Sequence, residues 1–201
     1  SKRPRETGLE FPAFGFPSTE ALSGARRETA LGPVEVPGLG DPNVRESNSL
    51  CALDMSDPAQ PRLEAFVRTG RPFGQASLGG SSPSGVIAAA GMIFVSNAHN
   101  DSITVIDAST YRVHKEIPIR IPDLEQLRGV LPLGLAYHEP TGWLLVAEAG
   151  INAVGVVDTK SLKLVGHLPV GWFPTRVVVD RDNVFVTNAK GHGTGPNAGR
   201  F

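Results

Sequence analysis

Phe94-Val95-Ser96-Asn97 returns twice along the chain, as Leu145-Val146-Ala147-Glu148 and as Phe185-Val186-Thr187-Asn188, at steps of 51 and 40 residues. A second frame runs beside it. Asn48-Ser49-Leu50-Cys51-Ala52-Leu53-Asp54 matches Asp101-Ser102-Ile103-Thr104-Val105-Ile106-Asp107 and then Asn152-Ala153-Val154-Gly155-Val156-Val157-Asp158, with the aspartates stepping by 53 and 51. A third mark is a proline: Pro83-Ser84-Gly85, Pro132-Leu133-Gly134 and Pro174-Thr175-Arg176. Three marks that keep the same order and register define an internal repeat.

Each unit opens with the proline-led strand and turns into an aromatic or aliphatic strand ending in Asn or Glu. A tight turn leads to an apolar strand ending in Asp, and a fourth strand such as Arg112-Val113-His114-Lys115-Glu116-Ile117 closes the unit. The runs are β-branched or aromatic and bounded by Gly, Asn, Asp or Pro, which is strand chemistry. Four strands in about 40 residues is the blade of a β-propeller. The longer first step comes from an insertion around Arg120 to Gly129. The expected fold class is all-β: a propeller segment of about three four-stranded blades, incomplete as given, with no helix longer than two turns. The best helical candidate is Asp123–Arg128. Val105, Ile106, Val146, Val156, Val157, Val179, Phe185 and Val186 are expected to supply most of the core, because blades are covered on both faces. Cys51, in an apolar strand, is expected to be buried.

Residues 1–48 read differently. Phe11-Pro12-Ala13-Phe14-Gly15-Phe16-Pro17 and Gly32-Pro33-Val34-Glu35-Val36-Pro37-Gly38 are punctuated by Pro and Gly and carry no sustained apolar period. The expected division is a Pro/Gly-rich extended arm or first-blade remnant over 1–48, packing through its three Phe residues, with propeller blades over 49–201. Ser18 is a candidate cap for one short helical turn. Lys+Arg 19 against Asp+Glu 20 leaves a net charge of -1, so no basic face argues for nucleic acid. No apolar run approaches the length that spans a bilayer, and the single cysteine rules out an internal disulfide.

The strand-end aspartates Asp54, Asp107 and Asp158 precede small polar residues, and each is expected to close an Asx-type turn rather than to do chemistry. Gly91, Gly142 and Gly150 are expected to take positive φ. Gly191-His192-Gly193-Thr194-Gly195 lacks the Gly-Lys-Ser/Thr ending and following helix of a phosphate loop, and reads as a turn.

The motifs Phe94-Val95-Ser96-Asn97, Phe185-Val186-Thr187-Asn188, Ser102–Asp107 and Gly171-Trp172-Phe173-Pro174-Thr175 resemble the YVTN-type β-propeller family over roughly residues 49–197. Ala147–Val154 and Asn188–Asn197 resemble a narrower group: bacterial extracytoplasmic proteins in which such a propeller precedes a phosphoesterase domain of the alkaline-phosphatase superfamily. The resemblance implies a periplasmic or extracellular location and places any phosphoesterase chemistry downstream. That chemistry needs Asp/His clusters holding two metals, and the chain has no such cluster, so neither a catalytic residue nor a cofactor is assigned.

Family likeness also places the proline-led strands around a central channel, where Arg176 is the candidate to hold an anion or carboxylate. A salt bridge to Glu148 or Asp180 is the structural alternative. His99 and His192 occupy equivalent turns after Asn97 and Asn188 and are candidates to converge on one face. Glu148, which replaces Asn in the middle repeat, completes the candidate ligand set. His114 and His167 fall in outer strands and are expected at the surface. Because strands 3 and 4 of the last repeat are absent from 189–201, missing blades are expected from a continuing or processed polypeptide rather than a homo-oligomer. A protein or a small anionic ligand is the expected partner.

Overall fold

The structure is a computed structural model that describes residues 23–30, 32–37, 45–71 and 80–190. The chain is all-β and builds a segment of a β-propeller. β5 (Pro83–Ala89), β6 (Met92–Asn97), β7 (Ser102–Asp107) and β8 (Val113–Pro118) form one four-stranded antiparallel sheet in chain order. β9 (Pro132–His138), β10 (Trp143–Glu148), β11 (Ala153–Asp158) and β12 (Lys163–Pro169) form a second. Among the described residues β3 (Ser49–Asp54) pairs with β4 (Arg62–Arg68) alone, and β13 (Pro174–Asp180) with β14 (Asn183–Asn188) alone. Register matches the repeat frames: Met92 pairs with Asp107 and Asn97 with Ser102, as Trp143 pairs with Asp158 and Glu148 with Ala153. Among the described residues the three-blade expectation resolves into two four-stranded blades and two hairpins: by register β3–β4 correspond to strands 3 and 4 of a blade, β13–β14 to strands 1 and 2.

The innermost strands β5, β9 and β13 lie side by side. Their approach is close: a Cβ on Gly85 would stand 2.4 Å from the Leu133 carbonyl oxygen, and one on Gly134 would stand 2.7 Å from that of Thr175. Glycine is therefore required at both inner positions, and Arg176 occupies the third.

Period-two alternation divides the apolar residues between three interblade layers. Phe94, Ile103 and Val105 face Leu144, Val146 and Val157 of the next blade. Leu145, Val154 and Val156 pack on Val177, with Val179 and Val186 behind. Val67 and Leu50 meet Val95 and Ile106. Burying a side chain such as Phe94 contributes about 1.5–3 kcal/mol.

Several expectations are corrected. Val105, Ile106, Val146, Val156 and Val157 are buried, but Phe185 is 57% exposed and Val179 and Val186 only half-buried. Its repeat equivalent Phe94 is 0% exposed. The difference is the neighbour: a following blade covers Phe94, and none among the described residues covers Phe185. Cys51 is exposed for the matching reason at the other end. Asp123–Arg128 is not helical; Asp123 takes φ 66°, and two separate turns close through Leu124 N–H to Ile121 O and Leu127 N–H to Leu124 O. Gly91 and Gly142 have positive φ, whereas Gly150 does not; it lies against the Gly129 carbonyl, where a Cβ has no room. Within 1–48, β1 (Gly24–Thr29) and β2 (Gly32–Pro37) pair as an antiparallel hairpin. Phe11, Phe14, Phe16 and Ser18 lie outside the described residues.

The aspartate turns stand as expected. Asp107 Oδ1 accepts from the Ser109 and Thr110 amides and hydroxyls. Those donors, the Ser109 hydroxyl foremost, hold its carboxyl at about 2. Asp54 and Asp158 accept from Ser56, and from Lys160 and Ser161.

Candidate functional site

One end of the segment gathers the turns between strands 2 and 3 and the linkers between blades. The two are tied by a repeated pair of backbone bonds: Ala98 and His99 N–H to Ser82 and Ser81 O, Ala149 and Gly150 to Leu131 and Val130, Ala189 and Lys190 to Phe173 and Trp172. A side-chain brace repeats with them. Asn48, Asp101 and Asn152 immediately precede the third strand and take φ 49°, 49° and 59°, a conformation that Asn and Asp tolerate. Each backbone carbonyl accepts from the residue leaving strand 4: Thr69, Ile119 and Val170. Each side-chain oxygen then reaches the linker into the next blade: Asn48 to Ser81 and Ser82 N–H, Asp101 to Gly129 and Leu131, Asn152 to Phe173. These residues stand in the repeat frame six places before the strand-end aspartates Asp54, Asp107 and Asp158. The signal was an Asn or Asp at one fixed place before an apolar strand.

Beneath this face each complete blade encloses a polar cluster. In the first, Asn97 Nδ2 donates to Thr104 Oγ1 at 2.7 Å and to Glu116 Oε1 at 3.1 Å, and Thr104 Oγ1 donates to Glu116 Oε2 at 2.7 Å. Ser102 donates to the same carboxylate. In the second blade the register-equivalent residues are Glu148, Ala153, Gly155 and His167. The carboxylate has moved from strand 4 to strand 2. Glu148 Oε2 lies 2.7 Å from His167 Nδ1, and His167 Nε2 lies 3.1 Å from the Arg120 carbonyl. That carbonyl only accepts, so Nε2 carries a proton, and the protonated Glu148 carboxyl can donate to Nδ1. Burial, opposed by the His167 contact and reinforced by the Asp101 charge, pushes Glu148 up to about 7. Gly155 makes the room: a Cβ there would meet Glu148 Oε1 at 2.2 Å. Asn97 Oδ1, Glu148 Oε1 and Asn188 Oδ1, all at the end of strand 2, are buried without a hydrogen-bond partner among the described residues.

Above the cluster stand guanidiniums. Arg120 Nη1 donates to the Asp101 and Ile119 carbonyls. Burial and the neighbouring charges of Arg128 and Arg71 pull Arg120 below its ordinary value, with Asp101 opposing. Arg71 and Arg128 are exposed.

The expected site residues therefore separate. His99 is exposed in the β6–β7 turn on this face. Arg176 is exposed on β13 and makes no ion pair with Glu148 or Asp180 among the described residues. Glu148 is fully buried, so it acts inside the blade on His167 rather than at the surface. His192 and the Gly191–Gly195 turn lie outside the described residues, so the convergence with His99 does too. His114 is exposed as expected, but His167 is largely covered, its side chain 14% exposed. Outer-strand position predicted exposure; the Glu148 contact across the sheet draws the ring inward.

No protein-family model matches the chain, and no curated protein does. Solved structures do. Virginiamycin B lyase from Staphylococcus aureus is similar at 16% identity and TM-score 0.54 over 90% of this chain and 62% of its own. A streptogramin B lyase structure is similar at 13% identity and TM-score 0.54, over 90% and 61%. A functionally unknown protein from Desulfotomaculum acetoxidans follows at 16% and 0.50, over 82% and 48%. These likenesses carry the propeller fold alone. The chain spans less than two thirds of each structure's length.

Proposed function

We propose that the chain is a non-catalytic binding platform whose loop face holds a small anionic ligand. The observation that carries this reading is the grouping of Arg71, Arg120 and Arg128 over Asp101, whose carboxylate is already committed to two linker amides. Three guanidiniums against the one Asp101 carboxylate leave a local excess of positive charge on a braced surface. Planar guanidiniums match carboxylate and phosphate oxygens. Arg176 and His99 are the further ligand candidates. The YVTN-type resemblance supports an extracytoplasmic location and a second reading, in which the propeller positions a phosphoesterase domain encoded further along the same frame; the gene sequence beyond Phe201 tests it.

Titration with inorganic phosphate and with citrate, followed by calorimetry, tests the platform. Saturable binding, stronger for citrate and weakened about tenfold in Arg128→Ala, is expected. No saturable heat for either anion would refute the reading. Steady hydrolysis of p-nitrophenyl phosphate by the chain would refute its non-catalytic part.

A further inference from the structure

We infer that the Glu148–His167 pair is a proton-linked regulator of the anion platform: it holds one exchangeable proton beneath Arg120, and the loop face binds an anion more tightly while that proton is in place. This regulation acts on the site proposed above and rests on that reading.

A continuous run of hydrogen bonds joins the interior of the second blade to the face. Glu148 Oε2 lies 2.7 Å from His167 Nδ1, His167 Nε2 lies 3.1 Å from the Arg120 carbonyl, and Arg120 Nη1 donates to the Asp101 carbonyl at 2.8 Å. Asp101 holds the same linker through the Gly129 and Leu131 amides. Glu148 is fully buried, and its Oε1 has no partner among the described residues. A buried carboxylate with one unpaired oxygen is costly to ionise.

The proton acts on the face in two ways. With it, the pair has no net charge; without it, the pair carries one negative charge beneath Arg120. In an interior of low dielectric that charge offsets the guanidinium that receives the ligand. The proton also lets Nε2–H donate fully to the Arg120 carbonyl; once it is lost, one imidazole hydrogen serves both bonds and the hold on the linker weakens. Both effects favour anion binding at low pH. Burial pushes Glu148 up to about 7, so the change falls in the neutral range. Coupling is reciprocal, so a bound anion makes the pair hold its proton to higher pH.

The charges facing the pair are Asp101, from the turn before β7, and Arg120, flanked by Arg128 and Arg71. Within the blade, β9 and β11 set Pro132, Ala153 and Gly155 beside it, and His138, Asp158 and Lys163 lie at the opposite ends of their strands. Of the strands packed on the blade, β13 carries an exposed Arg176, with Asp180 at its far end. On β8, Glu116 is held by Asn97, Ser102 and Thr104, Lys115 by the Leu162 carbonyl, and His114 is exposed. The insertion carries exposed Asp123 and Glu125, and His99 is a second ring on the face that gains charge on acidification.

Sulfate keeps a fixed charge across the neutral range, so its calorimetric titration at constant ionic strength reads the protein alone. Between about pH 5.5 and about pH 8.5, either side of the pair, Kd should rise about fivefold, the lower end of ordinary site-to-site coupling. Glu148→Gln should lose most of that change, and His99→Gln should keep it. A second measurement needs no variant: the His167 ring resonance, followed by NMR in the wild type, should titrate about 0.7 pH units higher in saturating sulfate, the logarithm of the same factor. An affinity constant with pH, a Glu148→Gln profile that matches wild type, or a His167 titration unmoved by sulfate would each overturn the regulation and leave the platform standing. Absence of saturable sulfate binding at both pH values would overturn both.

Discussion

Glu148→Gln isolates the protonation of the buried pair. The folded carboxyl sits at about 7 against an ordinary 4.5, raised chiefly by burial. At about 1.36 kcal/mol per pH unit, that displacement amounts to about 3 kcal/mol. The sign follows from linkage: a folded value above the unfolded one means the native state holds the extra proton. This contribution is complete below about pH 4.5 and is lost as pH rises through about 7. The geometry gives the reason. With the proton present, the carboxyl donates to His167 Nδ1 while Nε2–H donates to the Arg120 carbonyl. Once the pair as a whole has lost that proton, the single hydrogen of a neutral imidazole must serve both bonds. Gln is neutral at every pH, and its amide can donate to Nδ1, as Asn97 donates within its own cluster. Urea unfolding, followed by circular dichroism from pH 4.5 to 8, reads the effect. The stability of Glu148→Gln relative to wild type should climb by about 3 kcal/mol across that window, with the steepest change between pH 5 and 7. A difference constant to within about 0.5 kcal/mol, the usual scale of a neutral surface change, would refute the assignment of the proton to this pair.

Asp101→Asn should cost about 1–3 kcal/mol, because Asp101 accepts from Gly129 and Leu131 through both oxygens, whereas Asn48 and Asn152 brace through one, and the new amide nitrogen cannot accept. Asp101→Ala should cost about 3 kcal/mol or more, through two orphaned amides and a non-Asn residue at positive φ; chemical denaturation separates the two. Phe94→Ala should lose about 3–5 kcal/mol in the same assay, since the ring is wholly enclosed between blades. Gly155→Ala should cost about 1–3 kcal/mol by overpacking, and most of that loss should vanish when Glu148 is also Ala, because the new methyl collides with the Glu148 carboxylate.

The features legible in the sequence are those confined to one repeat or one turn. Strand order and the antiparallel register of β6 on β7 and β10 on β11 follow from short connections, and the same spacing recurs each time. The Asp107 turn needs only the next three residues. Such features depend on local backbone preference and period-two alternation, which a single stretch of chain carries in full. The Asn/Asp brace was within reach on the same terms, since the residue type and its place before the third strand are both in the repeat.

The tertiary structure alone decided which apolar residues are covered and which polar residues meet. Phe94 and Phe185 are the same residue in the same frame, and only the presence of a following blade separates 0% from 57% exposure. His167 looked like a surface residue of an outer strand; its partner lies 19 positions back and two strands inward, and it fits because Gly155, on the strand between, has no side chain. The separation of the candidate site into an exposed His99, an exposed Arg176 and a buried Glu148 has the same origin. Burial and pairing of this kind arise from residues brought together across the sheet and between blades. A chain's own pattern specifies which face of each strand is apolar, but the cover for that face comes from the neighbouring blade, which lies elsewhere in the sequence.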